Sequence, residues 1–169
     1  EAIDPVRYIG NRSSGKQGEA LAIEARNRGA EVTLVLANSN VADIAGIQTV
    51  RVETAQQMYG ALKAGIGTFD VLVMSAAVSD ARPATVAEEK IKKNELQNID
   101  LVANLDILKE LSEAARDTQV IVGFAAETEK LLDHAEAKRQ AKKLPLMVAN
   151  LVSDAMGDDD NTVTLLDKN

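Results

Sequence analysis

Residues 9–18, Ile-Gly-Asn-Arg-Ser-Ser-Gly-Lys-Gln-Gly, gather groups that bind anions. Gly10, Gly15 and Lys16 match the first seven positions of the phosphate loop GxxxxGK[ST]. The eighth position is Gln17, where that loop needs a hydroxyl for magnesium. No apolar strand enters the segment either, because residues 1–10 carry Pro5 and Gly10 and read as irregular. A Walker loop is therefore disfavoured. Two readings stay open. One is a polar loop ending in a helix cap. The other is an anion site in which helix N-terminal amides, Ser13, Ser14 and Lys16 surround a phosphate or carboxylate. Asn11 adds a neutral amide that both donates and accepts, which suits an acyl carbonyl or acyl-phosphate oxygen.

A second candidate is Ser75-Ala76-Ala77-Val78-Ser79-Asp80-Ala81-Arg82-Pro83, which follows a buried strand. Small residues let a ligand approach the backbone, and Asp80 can accept from a hydroxyl. A tight turn capped by Asp80 explains the same residues. Lys90-Ile91-Lys92-Lys93 can neutralise a polyphosphate or merely solvate a surface. Lys138 and Lys142, four apart, share a helix face, and Arg139 and Lys143 form the adjoining pair. Solubility is the plainer explanation of both pairs. His134 has no Cys or Ser motif around it and reads as a surface residue. Asp158-Asp159-Asp160 can bind a cation, although acidic loop residues are usually only solvated.

The elements that must position these groups alternate. Helices are expected at Ser14–Arg28 with a Ser13 or Ser14 cap and a Gly29 stop, at Thr54–Lys63, at Leu105–Ala115 and at Glu127–Lys143. Strands are expected at Glu31–Ala37, Thr49–Glu53, Phe69–Ala76, Gln119–Ala125, Leu146–Asn150 and Thr162–Leu166. Such alternation implies an α/β fold: a doubly wound, mainly parallel, Rossmann-like sheet with helices on both faces. Its ligands sit beyond the carboxyl ends of the strands. That selects Ser75–Asp80, Gly123–Glu127 and the segment from Asn150. The 169 residues make one domain. A helix near Ser14 normally follows a first strand, so the natural chain is expected to begin before Glu1. It is also expected to continue past Asn169.

Composition narrows the class. Hydrophobic residues make up 46%, so the chain folds, and aromatics only 2%, so Ala, Val, Leu and Ile must pack the core. The net charge of −7 argues against a nucleic-acid surface. With no Cys and one His, disulfides and Cys/His zinc sites are excluded. No apolar run is long enough to span a membrane and no signal peptide is visible. A cytoplasmic location is expected. NAD binding is weakly supported, because Gly15-Lys16-Gln17-Gly18 lacks the GxGxxG spacing.

Taken in order, six segments resemble phosphopantothenate–cysteine ligase. They are Asp4-Pro5-Val6-Arg7-Tyr8-Ile9 with Asn11–Lys16, Ala76–Asp80, Lys90–Lys93, Gly123-Phe124-Ala125-Ala126-Glu127-Thr128, and Val148-Ala149-Asn150. In many bacteria this ligase is the C-terminal half of a bifunctional coenzyme A biosynthesis protein, behind a flavin-dependent decarboxylase. The resemblance is to the bacterial, CTP-dependent type. It implies that the phosphopantothenate carboxylate attacks the α-phosphate of CTP, and that L-cysteine then displaces CMP from the acyl-cytidylate. It further implies that Lys90 meets the triphosphate and that Asn11 holds the acyl-cytidylate. Phosphopantothenate would be bound by Arg7, Asn11, Ala76, Ala77 and Asp80. Arg7 would reach the phosphate in the partner subunit of a homodimer. Nucleotide contacts fall on Ala76, Asp80, Lys90, Asp106, Ile107, Phe124, Lys138 and Lys142. Magnesium would accompany CTP, with its protein ligands undefined. A nucleotide-binding module of this fold without catalysis, or an NAD(P)-binding Rossmann domain, are the alternatives.

Overall fold

Helix α1 (Lys16–Asn27) begins one residue after Gly15, which is left-handed at φ 79° and caps with no side chain. The structure, a computed structural model, describes residues 1–38, 41–155 and 161–168. The expected serine cap is thus replaced by backbone geometry. The Ser14 hydroxyl only accepts a long 3.4 Å bond from the Lys16 amide. The stop is as expected. Gly29, at φ 91°, donates to the Arg26 carbonyl while Ala30 donates to Ala25, closing a Schellman motif.

Strands β1 (Thr33–Ala37) and β2 (Gln48–Val52) pair in parallel, from Thr33↔Gln48 to Ala37↔Val52. Helix α2 (Ala55–Gly65) starts on Thr54, whose side chain completes a reciprocal capping box with Gln57. Strand β3 (Val71–Met74) follows, and then a short antiparallel ribbon of β4 (Ala81–Pro83) and β5 (Leu101–Ala103). That ribbon was not expected. Three-residue strands are too short to show alternation, and Pro83 argues against a strand. Helix α3 (Ile107–Ala114) precedes the longest strand, β6 (Val120–Glu127).

Helix α4 (Leu131–Ala141) starts four residues later than the sequence pattern suggests. Glu127 is the last residue of β6, paired with Leu151, so ladder hydrogen bonding overrides the helix-like Glu-Thr-Glu run. Strand β7 (Leu146–Leu151), the short helix α5 (Val152–Ala155) and β8 (Thr164–Leu166) complete the chain. Among the described residues the strands form three sheets: β1-β2, β3-β6-β7-β8 and β4-β5. β3, β6 and β7 are parallel, whereas β8 runs antiparallel to β7. The architecture is mixed α/β.

The core is aliphatic, as the composition requires. Leu111, Ile121, Leu144 and Met147 are its largest fully buried side chains. The end of α4 is tied by Arg139, a buried cation. It donates Nε and Nη2 to Glu136, both at 2.7 Å, and Nη1 to the Leu144 carbonyl at 3.1 Å. The Arg139 hydrogen bond, with help from Gln140, lowers the Glu136 carboxyl from its ordinary 4.5 to about 2. A depressed acid stabilises the fold above its unfolded value and loses that contribution as pH falls through its folded value. Stability should therefore fall between pH 4.5 and about 2. Glu136→Gln should reduce that slope, read as the urea midpoint against pH. Asp4 and Asp106 shift in the same direction, so some slope persists.

Candidate functional site

Because β3, β6 and β7 are parallel, their carboxyl ends share one edge of the sheet, and the loop 75–80 leaves from it. Asn11 reaches this loop. Its Nδ2 donates to the Ala77 carbonyl at 3.2 Å and to the Val78 carbonyl at 3.1 Å. Its Oδ1 makes no hydrogen bond among the described residues, so one acceptor stays available. Ala76, Ala77 and Asp80 are all exposed. A side chain at Gly18 would begin 3.1 Å from the Ser75 hydroxyl, so the first turn of α1 lies close against the loop.

The loop is held from below by Asn104, which the sequence did not single out. Its amide nitrogen donates to the Asp80 carbonyl at 2.8 Å and its Nδ2 to the Ser79 carbonyl at 2.9 Å. Its Oδ1 accepts from Arg82 at 3.2 Å. Asn104 stands two residues before Asp106, so one residue fixes two of the expected binding segments. Asp106 caps α3 by accepting from the Lys109 amide at 3.1 Å, and it accepts from Lys142 Nζ at 2.8 Å. Partial burial pushes the Asp106 carboxyl up. The Lys142 hydrogen bond, the Lys109 amide and the charges of both lysines outweigh it, and the carboxyl sits below its ordinary 3.8. Ile107 is buried in the core. Phe124 is half-buried on β6.

Lys138 is also engaged by an acid. Its Nζ lies 2.6 Å from Glu127 Oε1, and His134 Nδ1 lies 3.5 Å from Oε2. His134 thus has a defined neighbour. The pairing of Glu127 with Lys138 was not foreseen because Glu127 read as the start of a helix. The signal available was its place in the Gly123–Thr128 segment at a strand end.

Arg7 and Lys90 meet elsewhere. Together with Ile91, Lys92, Lys93 and Leu96 they line a cavity of about 640 Å³, strongly basic at its rim. That cavity does not include Asn11, Asp80, Lys138 or Lys142. Arg7 is bound to Asp4, whose carboxyl is held well below the usual carboxylate range by the Arg7 hydrogen bond, against the opposing effect of burial. Among the described residues no group of three or more His, Cys, Asp or Glu is placed to hold a metal ion. Asp158-Asp159-Asp160 lies outside the described residues. Among those residues no helix is long and apolar enough to cross a membrane.

The family described as the DNA/pantothenate metabolism flavoprotein C-terminal domain matches residues 1–169. The chain belongs to that family. It is 43% identical to the coenzyme A biosynthesis bifunctional protein CoaBC of Vibrio vulnificus, over 98% of this chain and 43% of that protein. It is 47% identical to CoaBC of Mycobacterium tuberculosis, over 91% of this chain and 40% of that protein. It therefore spans about two fifths of the length of these relatives. The crystal structure of the C-terminal domain of CoaBC superposes with a TM-score of 0.83 at 39% identity, covering 99% of this chain and 76% of that one. A Cab2 variant in complex with phosphopantothenate-cysteine shares the fold, with a TM-score of 0.76 at 16% identity over 99% of this chain and 77% of the other. In this family member, Asn11 bonds to the loop 75–80, Asp106 pairs with Lys142, and Lys138 pairs with Glu127. Arg7 and Lys90 form the separate basic cavity.

Proposed function

We propose that this chain joins 4′-phosphopantothenate to L-cysteine through an acyl-cytidylate made from CTP. A carboxylate oxygen forms a bond to the α-phosphorus of CTP, and pyrophosphate leaves. The cysteine amine then bonds to the acyl carbon, its proton passes to solvent and CMP leaves. The nucleophiles belong to the substrates, so no catalytic Cys or His is required of the chain. The protein's tasks are positioning and charge neutralisation. A carboxylate brought within about 4 Å of a phosphate charge is repelled by on the order of 4 kcal/mol at a protein surface. Lys90, Lys138 and Lys142 offset that repulsion, and Arg7 takes the phosphate of phosphopantothenate.

One observation carries the reading. Asn11 is pinned by two carbonyls of the exposed small-residue loop, with its Oδ1 left to accept from an incoming amine. Ala76, Ala77 and Asp80 then border the acyl and nucleotide groups, and Asp106, Ile107 and Phe124 border the nucleotide. Magnesium would enter with the triphosphate, supplying charge neutralisation. Single exposed carboxylates such as Asp80 fit an ion held mainly by phosphate oxygens and water.

The finer fold we infer is one doubly wound, mainly parallel Rossmann-like sheet, supported by the parallel pairs of β1-β2 and β3-β6-β7. The 169 residues act as a single ligase domain in a cytoplasmic homodimer, fused in the natural protein to a flavin-dependent decarboxylase. Neither a nucleic acid nor a membrane is a partner.

The test is pyrophosphate release with magnesium and phosphopantothenate, comparing CTP with ATP, with and without L-cysteine. Release with CTP and further turnover with cysteine are expected. CTP binding without pyrophosphate release would leave a non-catalytic module. NAD binding with indifference to phosphopantothenate would overturn the family chemistry altogether.

A further inference from the structure

The segment Glu88–Lys93 has no regular secondary structure, yet it must deliver Lys90 to the cavity. Its ties to distant residues converge on Ile91. The Ile91 amide donates to Asp4 Oδ2 at 3.2 Å, and the Ile91 carbonyl accepts from Arg7 Nη2 at 2.7 Å. The neighbouring Ala87 amide donates to the Ile3 carbonyl at 3.0 Å. Asp4 and Arg7 are themselves locked together. Asp4 Oδ2 accepts from Arg7 Nε at 2.9 Å and from Arg7 Nη2, while Oδ1 accepts the amides of Val6 and Arg7, both at 2.8 Å. An ion pair thus brackets the backbone of one residue, carboxylate on its N–H and guanidinium on its C=O. It does the task of a ladder rung where no strand exists. Asp4 is only 3% exposed, so water does not compete for these donors.

We propose that Asp4 is a positioning residue for Lys90. Through Arg7 and directly, it fixes the Ile91 backbone and so the direction from which Lys90 enters the cavity. The inference rests on Lys90 acting on the triphosphate. Among the described residues the guanidinium keeps only Nη1 free of hydrogen bonds. Arg7 therefore cannot release the clasp to take over Lys90's part without unpairing a buried carboxylate.

The test compares the full chain with its Asp4→Asn variant. Asn keeps the size but turns one acceptor oxygen into a donor facing donors. Trypsin should then cleave after Lys90, Lys92 and Lys93 faster than in wild type, because a loosened segment opens locally. The kcat for pyrophosphate release should fall about tenfold or more, since a small misplacement of a positioned group costs that much, while KM for CTP stays the same. A folded Asp4→Asn chain with unchanged cleavage and unchanged kcat overturns the proposal. Hydrogen exchange in wild type needs no variant: the Ile91 amide should exchange slowly and those of Lys90 and Lys92 quickly. Equally fast exchange at all three also overturns it. If wild type releases no pyrophosphate while Asp4→Asn still exposes the segment, the ligase reading fails and the clasp stands. If wild type releases it and Asp4→Asn does so equally fast, the positioning role fails and the ligase stands.

Discussion

Replacing Lys90 with Gln is expected to slow acyl-cytidylate formation by on the order of 10²-fold or more, the cost typical of losing one preorganised group that stabilises developing charge. The substitution keeps an N–H donor, one bond closer to the backbone, and removes the charge. Of the other cations lining the cavity, Arg7 is committed to Asp4 and Ile91. Asn11→Asp should behave differently. It removes the donor that Ala77 and Val78 share and sets a negative charge beside their carbonyl oxygens. It also sets that charge beside an anionic intermediate. The intermediate should form, and its reaction with cysteine should stall. Rapid-quench counting of acyl-cytidylate in single turnovers separates the two steps. Equal first-step rates in wild type and Lys90→Gln would remove Lys90 from the mechanism. Normal turnover in Asn11→Asp would remove Asn11.

What was legible in the sequence is what local chemistry determines. Thr54 announced a helix start, and Gly29 a helix stop, because both signals lie within a few residues of the backbone groups they satisfy. Strands β6 and β7 announced themselves as continuous apolar runs, whereas β3, read as equally buried, leaves Val71 and Val73 exposed. The loop 75–80 was legible because it follows such a run, and Asn11 because its neighbours are typical of an anion loop. Other features are not local. Asp4 and Ile91 meet across 87 positions, and Asn104 reaches Ser79 across 25, each through a side-chain-to-backbone bond that leaves no periodic trace. Glu127 misled for a related reason. Its own neighbourhood favours a helix, and only pairing with Leu151 and the approach of Lys138 keep it on a strand. Gly15 shows the converse: a left-handed residue started α1 where two serines were available. Propensity loses to tertiary contacts at each of these points, and they border the site.

Gly123→Ala is expected to destabilise the fold, although in an ordinary strand the same change would help. Removing a strand glycine gains about 0.5–1 kcal/mol in backbone entropy. Here the added Cβ would lie 2.7 Å from Leu144 Cδ1, 2.9 Å from Leu108 Cδ2 and 3.2 Å from Met147 Sδ. Leu144 and Met147 are each only 1% exposed, so neither has space to retreat. Overpacking of this kind costs about 1–3 kcal/mol, which outweighs the entropic gain. Each kcal/mol lost should lower the thermal midpoint by about 2–4 °C in a chain of this size. Gly123→Val adds two methyl groups to the same wall and should cost more. Leu144→Val should recover part of the loss in the Gly123→Ala background while destabilising wild type, since the two positions share one space. A Gly123→Ala chain that melts above wild type would show that α3 can move away from β6. The position also bears on chemistry. Gly123 lets Leu108 of α3 settle onto β6, and that same helix is capped by Asp106, the partner of Lys142. Lifting α3 should therefore weaken CTP binding before the fold melts, a loss that a surface substitution of equal cost in stability would not produce.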